Sequence, residues 1–168
     1  MSEHPFTTFN FRIALTYGTN GTPICAGEFS DCDGLEMTLE PKTIREGGNN
    51  SRPIHMVGNV SYGQLSLKRG MTSDFGLWDW FDAVQRTNGH GIRASGLIAL
   101  QSAEASPAAR TDVVIFELTG CLPVKLKAPS FNAKDGLIAV EEMQIAYETL
   151  TRKPSKKPAA AAPAGGTR

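Results

Sequence analysis

The sequence predicts a mainly β fold, an antiparallel β-barrel or sandwich with one packed α-helix and an extended arm. Three observations predict it. Apolar and polar residues alternate in several separate segments, among them 9–15, 35–39 and 64–68, which is the period of strands with one face buried. One segment, 75–84, instead repeats apolar residues every third position, as one face of a helix requires. Lys42 to Gly63 fits neither pattern: it is rich in Gly, Asn, Ser and Arg, yet apolar residues are dispersed through it.

Phe9, Phe11, Ile13 and Leu15 alternate with Asn10, Arg12 and Ala14 in a first strand, and Gly18, Asn20, Gly21 and Pro23 supply the turn after it. A second strand follows over about 24–29. Ser30-Asp31-Cys32-Asp33-Gly34 then reads as a break, and Leu35, Met37 and Leu39 alternate with Glu36, Thr38 and Glu40 in a third strand that Pro41 ends. The segment 42–63 holds Ile44, Ile54, Met56, Val57 and Val60 and is too apolar for a simple linker. So long a stretch in a compact domain reads as an arm or hairpin that packs on a neighbour, with an ordinary surface loop as the alternative.

Leu65 and Leu67 alternate with Gln64, Ser66 and Lys68 in a further strand, which delivers the chain into the helix. Thr72 or Ser73 is placed to cap a helix over about 73–87, with Asp74 in its first turn. Phe75, Trp78, Phe81 and Val84 are expected to form its buried face, leaving Asp79, Asp82, Gln85 and Arg86 in solvent. Asn88-Gly89-His90-Gly91 stops it. Two more strands, 92–100 and 112–118, flank a hairpin tip of small residues at 102–110. In the last strand Ile138 and Val140 are even positions whereas Met143, Ile145 and Tyr147 are odd, so a bulge near Glu141 and Glu142 is expected to keep one apolar face inward. The domain therefore spans 1–151, and the Pro/Ala/Lys-rich stretch 152–168 is expected to be a flexible tail.

Length and 40% hydrophobic content suit one domain with its own core. The formal charge of zero is uneven. Five of the 17 basic residues lie beyond Thr151 with no acid among them, leaving 12 basic against 17 acidic residues in the body. An acidic body argues against stable nucleic-acid binding, for which a clustered basic face is needed. Cys25, Cys32 and Cys121 are odd in number and match no zinc or redox spacing, so they read as reduced core residues. The start lacks the basic and apolar regions of a signal peptide, and no apolar run approaches the ~20 residues of a membrane span.

No catalytic constellation emerges. Gly47-Gly48 and Gly89-x-Gly91 lack the spacing and the Lys-Ser/Thr of a phosphate loop. His4, His55 and His90 are scattered, and Asp79 with Asp82 reads as a solvated face pair. No cofactor, metal or enzymatic activity is expected.

Several motifs in order resemble the tail-tube proteins of contractile phages and contractile injection systems, over most of residues 6–151. They are the Phe9-x-Phe11 strand, Phe29-Ser30 with Gly34-Leu35, Arg45-Glu46-Gly47-Gly48-Asn49-Asn50, Leu65-Ser66-Leu67-Lys68-Arg69-Gly70 and Leu77-Trp78-Asp79-Trp80. Gly120-Cys121-Leu122-Pro123-Val124-Lys125 resembles the family's Trp-Pro-x-Lys turn with Leu122 where an aromatic is common, and Val140 to Glu148 resembles its closing strand with Tyr147 in the place of a frequent histidine.

The resemblance implies a structural inner-tube subunit forming stacked hexameric rings around a central channel, driven through a target envelope by sheath contraction. Sheath, baseplate, spike and cap proteins are then partners, the lumen passes protein cargo or DNA, and a target membrane is met only on firing. Assembly in the bacterial cytoplasm is implied, followed by residence in a phage-like particle, extracellular or membrane-anchored. In such a tube Arg45, Glu46, Gly47, Gly48, Asn49 and Asn50, with Ile54, Met56 and Val57, are expected to stack one ring on the next. The alternatives are a secreted single-ring effector carrier of the type VI secretion kind and a tube-initiator ring at the baseplate.

Overall fold

The computed structural model describes residues 10–18, 21–27, 29–44, 52–87, 92–102, 110–131, 134, 136 and 138–154. In chain order they form β1 (Phe11–Tyr17), β2 (Thr22–Gly27), β3 (Asp31–Asp33), β4 (Met37–Leu39), β5 (Lys42–Ile44), β6 (Ile54–Met56), β7 (Val60–Tyr62) and β8 (Gln64–Gly70). Then come α1 (Gly76–Arg86), β9 (Ala94–Gln101), β10 (Asp112–Lys127), β11 (Val140–Ala146) and β12 (Thr149–Pro154). The fold is mainly β and antiparallel, as its alternating sequence requires.

An eight-stranded sheet runs in the order β2-β1-β9-β10-β11-β8-β3, with β12 also paired to β10. The 16-residue β10 joins the two halves of it: Asp112–Cys121 pairs with β9 and, over Val114–Thr119, with β12, while Leu122–Lys127 pairs with β11. A register shift between Leu118 and Cys121 marks the change of partner. Ile13, Leu15, Ile98 and Leu118 from the first half share one core with Leu65, Leu67, Met143 and Ile145 from the second. Pro123 is accommodated within β10 because the ladder to β11 slips there, between Pro123 and Lys125.

The helix packs against β2 and β10. It begins at Gly76, later than expected, and neither Thr72 nor Ser73 caps it; the N-cap is Phe75, without a side-chain cap bond. Instead the Thr72 hydroxyl accepts from the Asp74 amide and the Asp74 carboxylate from the Gly76 amide. A side chain at Gly76 would meet the Ile24 carbonyl oxygen at 1.9 Å, so glycine lets the helix start press on β2. This start rotates the expected core. Leu77 and Trp80 are the buried helix residues, Phe81 and Val84 pack partly beside them, Trp78 is half-buried, and Phe75 lies outside the helix with 53% of its surface exposed.

Three more expectations change. Asp31–Asp33 is a strand paired with β8, not a break. No bulge occurs at Glu141 and Glu142, since β11 pairs with β8 in unbroken register from Val140↔Gly70 to Ala146↔Gln64. Ile138 and Val140 consequently face solvent, and the inward position is taken by Glu141, directly across from Arg69. Finally β12 continues past Thr151 to Pro154, because Arg152 and Lys153 extend its ladder along Phe116 and Ile115. Residues 155–168 and the hairpin tip 103–109 lie outside the described residues.

Candidate functional site

The arm is a β-hairpin that begins earlier than its composition indicates. Met37↔Tyr62, Thr38↔Ser61 and Leu39↔Val60 form its inner ladder; Lys42↔Met56, Thr43↔His55 and Ile44↔Ile54 form its outer one. The paired positions slip by one residue between the two ladders, and the Glu40 amide donating to the Asn59 carbonyl at 3.1 Å bridges the slip. Met37 and Leu39, read in sequence as part of a third strand before the arm, thus belong to the arm.

The arm strands pair only with one another among the described residues. Such a ribbon buries neither face, and its apolar side chains stay in solvent: Met37, Leu39, Ile44, Ile54, Met56 and Val60 are all exposed, and Val57 is 80% exposed. Exposed apolar side chains on a ribbon with unpaired strand edges are what a partner surface would cover. Of the expected stacking residues, Ile54, Met56 and Val57 are on it, whereas Arg45, Glu46, Gly47, Gly48, Asn49 and Asn50 lie outside the described residues.

At the end of the β8–β11 ladder away from the arm, the sheet contains a buried polar cluster that alternation alone did not disclose. Arg69 and Glu141 are 3% and 2% exposed, and the guanidinium Nε donates to Glu141 Oε1 at 2.5 Å. Arg69 also donates to the Asp74 carbonyl at 2.6 Å and carboxylate at 3.2 Å, and to Cys25 Sγ at 2.9 Å. Trp78 Nε1 donates to Glu141 Oε2 at 2.8 Å. The cluster ties β8, β11, β2 and the helix start together. Burial opposes the Arg69 charge, yet the hydrogen bond that it donates to Glu141 and the surrounding charges outweigh it and raise its pKa. The charge on Arg69 is therefore permanent.

Burial of Cys25 and Cys121, and partial burial of Cys32, keeps the three thiols protonated. Desolvation pushes Cys25, Cys32 and Cys121 each up to about 11; Arg69 pulls back on Cys25, while Asp31 and Asp33 push Cys32 further. Cys32 borders a cleft of about 480 Å³ lined mostly by Phe11, Leu35, Ile98, Leu100 and Phe116. Among the described residues no His, Cys, Asp and Glu side chains cluster as metal ligands.

The family of the T4-like virus tail tube protein gp19 matches residues 7–151. The chain belongs to that family. It is a structural tail-tube protein, and the solved structures agree in fold. A chain of the anti-feeding prophage (AFP) baseplate aligns with a TM-score of 0.77 at 24% identity, covering 93% of this chain and 100% of that one. A chain of the AFP tube-terminating cap aligns at 0.76 and 20% identity, covering 92% and 95%. A chain of the sheath-tube complex of PVC, an extracellular contractile injection system, aligns at 0.70 and 20% identity, covering 90% and 93%. No curated protein matches this sequence.

Proposed function

We propose that copies of this chain close into hexameric rings around a channel and that the arm joins one ring to the next in a tube driven by a sheath. The uncovered apolar hairpin carries this reading. A ribbon with Met37, Leu39, Ile44, Ile54, Met56, Val57 and Val60 in water is unfavourable for a lone subunit and favourable once a second ring covers it. Ring closure is a separate heterologous contact, one sheet edge meeting the opposite edge of the next copy. The work of such a subunit is mechanical and calls for no reacting group.

Deleting Gly47 to Pro53 shortens the connection between β5 and β6 while sparing every strand of the main sheet. Electron microscopy of the purified variant is expected to show rings without filaments. Tubes of normal length after deletion would overturn the assignment, and discrete rings from the unaltered chain would favour the single-ring carrier.

A further inference from the structure

The arm leaves the body at Gly34–Glu36 and returns at Tyr62–Gln64, and one side chain holds both crossings. Tyr147, at the end of β11, is buried. Its phenolic oxygen accepts from the Glu36 amide at 3.0 Å and lies 2.9 Å from the Gly34 carbonyl and 3.0 Å from the Glu36 carbonyl, to one of which its single hydrogen is donated. Its ring lies against Tyr62 on the returning strand, with centroids 5.7 Å apart. Gly63 closes the root by donating to the Glu36 carbonyl at 3.3 Å. Gly34 adopts φ 93°, and a side chain there would stand 2.0 Å from the Gln64 carbonyl oxygen, so the two crossings meet backbone to backbone.

We propose that Tyr147 is a positioning residue that sets the direction of the arm, and thereby whether the arm reaches its site on the next ring. The inference rests on reading the arm as the stacking element. Leverage is the physical reason. At about 3.3 Å per residue, the run from Glu36 to Ile44 is a lever of roughly 25 Å, so a rotation of about 10° at the root moves its far end by roughly 4 Å. That displacement is as large as the contact distance between apolar side chains. No other pairing of the arm with the body exists among the described strands to correct it.

The test uses the full chain with Tyr147→Phe, which keeps the ring on Tyr62 and removes only the oxygen. Rings should form with unchanged yield, while the critical concentration for filament growth rises about tenfold, the loss expected from one hydrogen-bonding group that preorganises a contact. Hydrogen exchange at the Glu36 and Gly63 amides should accelerate, with β8 and β11 amides unaffected. Gly34→Ala disturbs the same root through the Gln64 backbone while keeping the Tyr147 hydroxyl, and should give the same separation of rings from filaments. Folded rings that elongate normally in both variants would overturn the inference. So would loss of rings in both, since Tyr147 would then serve the fold and not the arm. If deletion of Gly47 to Pro53 leaves tubes intact, the stacking reading itself fails; if that deletion abolishes tubes and Tyr147→Phe does not, only the positioning role fails.

Discussion

Replacing Arg69 by methionine probes the buried charge cluster most directly. The substitution keeps an apolar stem about as long as that of arginine and removes the guanidinium, leaving Glu141, 2% exposed, without its partner across the strands. Breaking a buried ion pair by removing one partner costs about 3–5 kcal/mol, since the remaining charge is neither solvated nor compensated. Trp78 Nε1 continues to donate to Glu141, which places the expected loss near the lower end, about 3 kcal/mol. That is a large share of the roughly 5–15 kcal/mol that stabilises a typical domain.

The double variant Arg69→Met/Glu141→Leu removes both charges. It leaves the half-buried Trp78 indole and the exposed Asp74 carbonyl to find water, at a cost of about 1–2 kcal/mol. The pair should therefore be less unstable than the single variant, with a coupling of at least about 1 kcal/mol. Urea unfolding followed by tryptophan fluorescence measures this, provided that all variants are compared in the same assembly state. A single-variant loss below about 1 kcal/mol, or strict additivity in the cycle, would refute the description of Arg69 and Glu141 as a mutually dependent buried pair.

The helix separates its two tryptophans. Trp80→Ala, at a fully buried site, should cost about 3–5 kcal/mol, and Trp78→Ala, half-buried, about 1–2 kcal/mol; equal losses in urea unfolding would contradict the helix register. Acid should weaken the fold through Asp74, held low by the Gly76 amide, and Asp112, held low by its hydrogen bond from Arg12. A carboxylate with a depressed folded pKa adds stability above its unfolded value, about 3.9, and loses it as pH falls through the folded one, so the urea midpoint should drop below about pH 4, with Asp112→Asn flattening the drop. The cysteines, with thiols near 11, should resist maleimide at pH 7 in the native protein and react on unfolding; rapid native labelling of Cys25 or Cys121 would show that the core is open.

Much of this architecture is written in the order of side chains. Alternation at Ile13 and Leu15, Leu65 and Leu67, and Met143 and Ile145 determines which strand face is buried, because the period of two is a property of the extended backbone itself. The single helix and the presence of an arm near 42–63 follow equally locally, as does membership of the tail-tube family through its ordered motifs.

What the sequence by itself left open depends on which segments meet. The same alternation in Met37 and Leu39 that elsewhere means core here means an exposed ribbon, because among the described residues β4 pairs with β7 alone and no layer covers it. Glu141 occupies an inward position that pattern reserves for an apolar residue, and only the register of β11 against β8, placing Arg69 opposite, makes it tolerable. The helix face turned because Gly76 could press against Ile24, a contact between residues far apart in the chain. Periodicity reports the local backbone; burial and partnership are set by long-range pairing, and tertiary structure alone decided them.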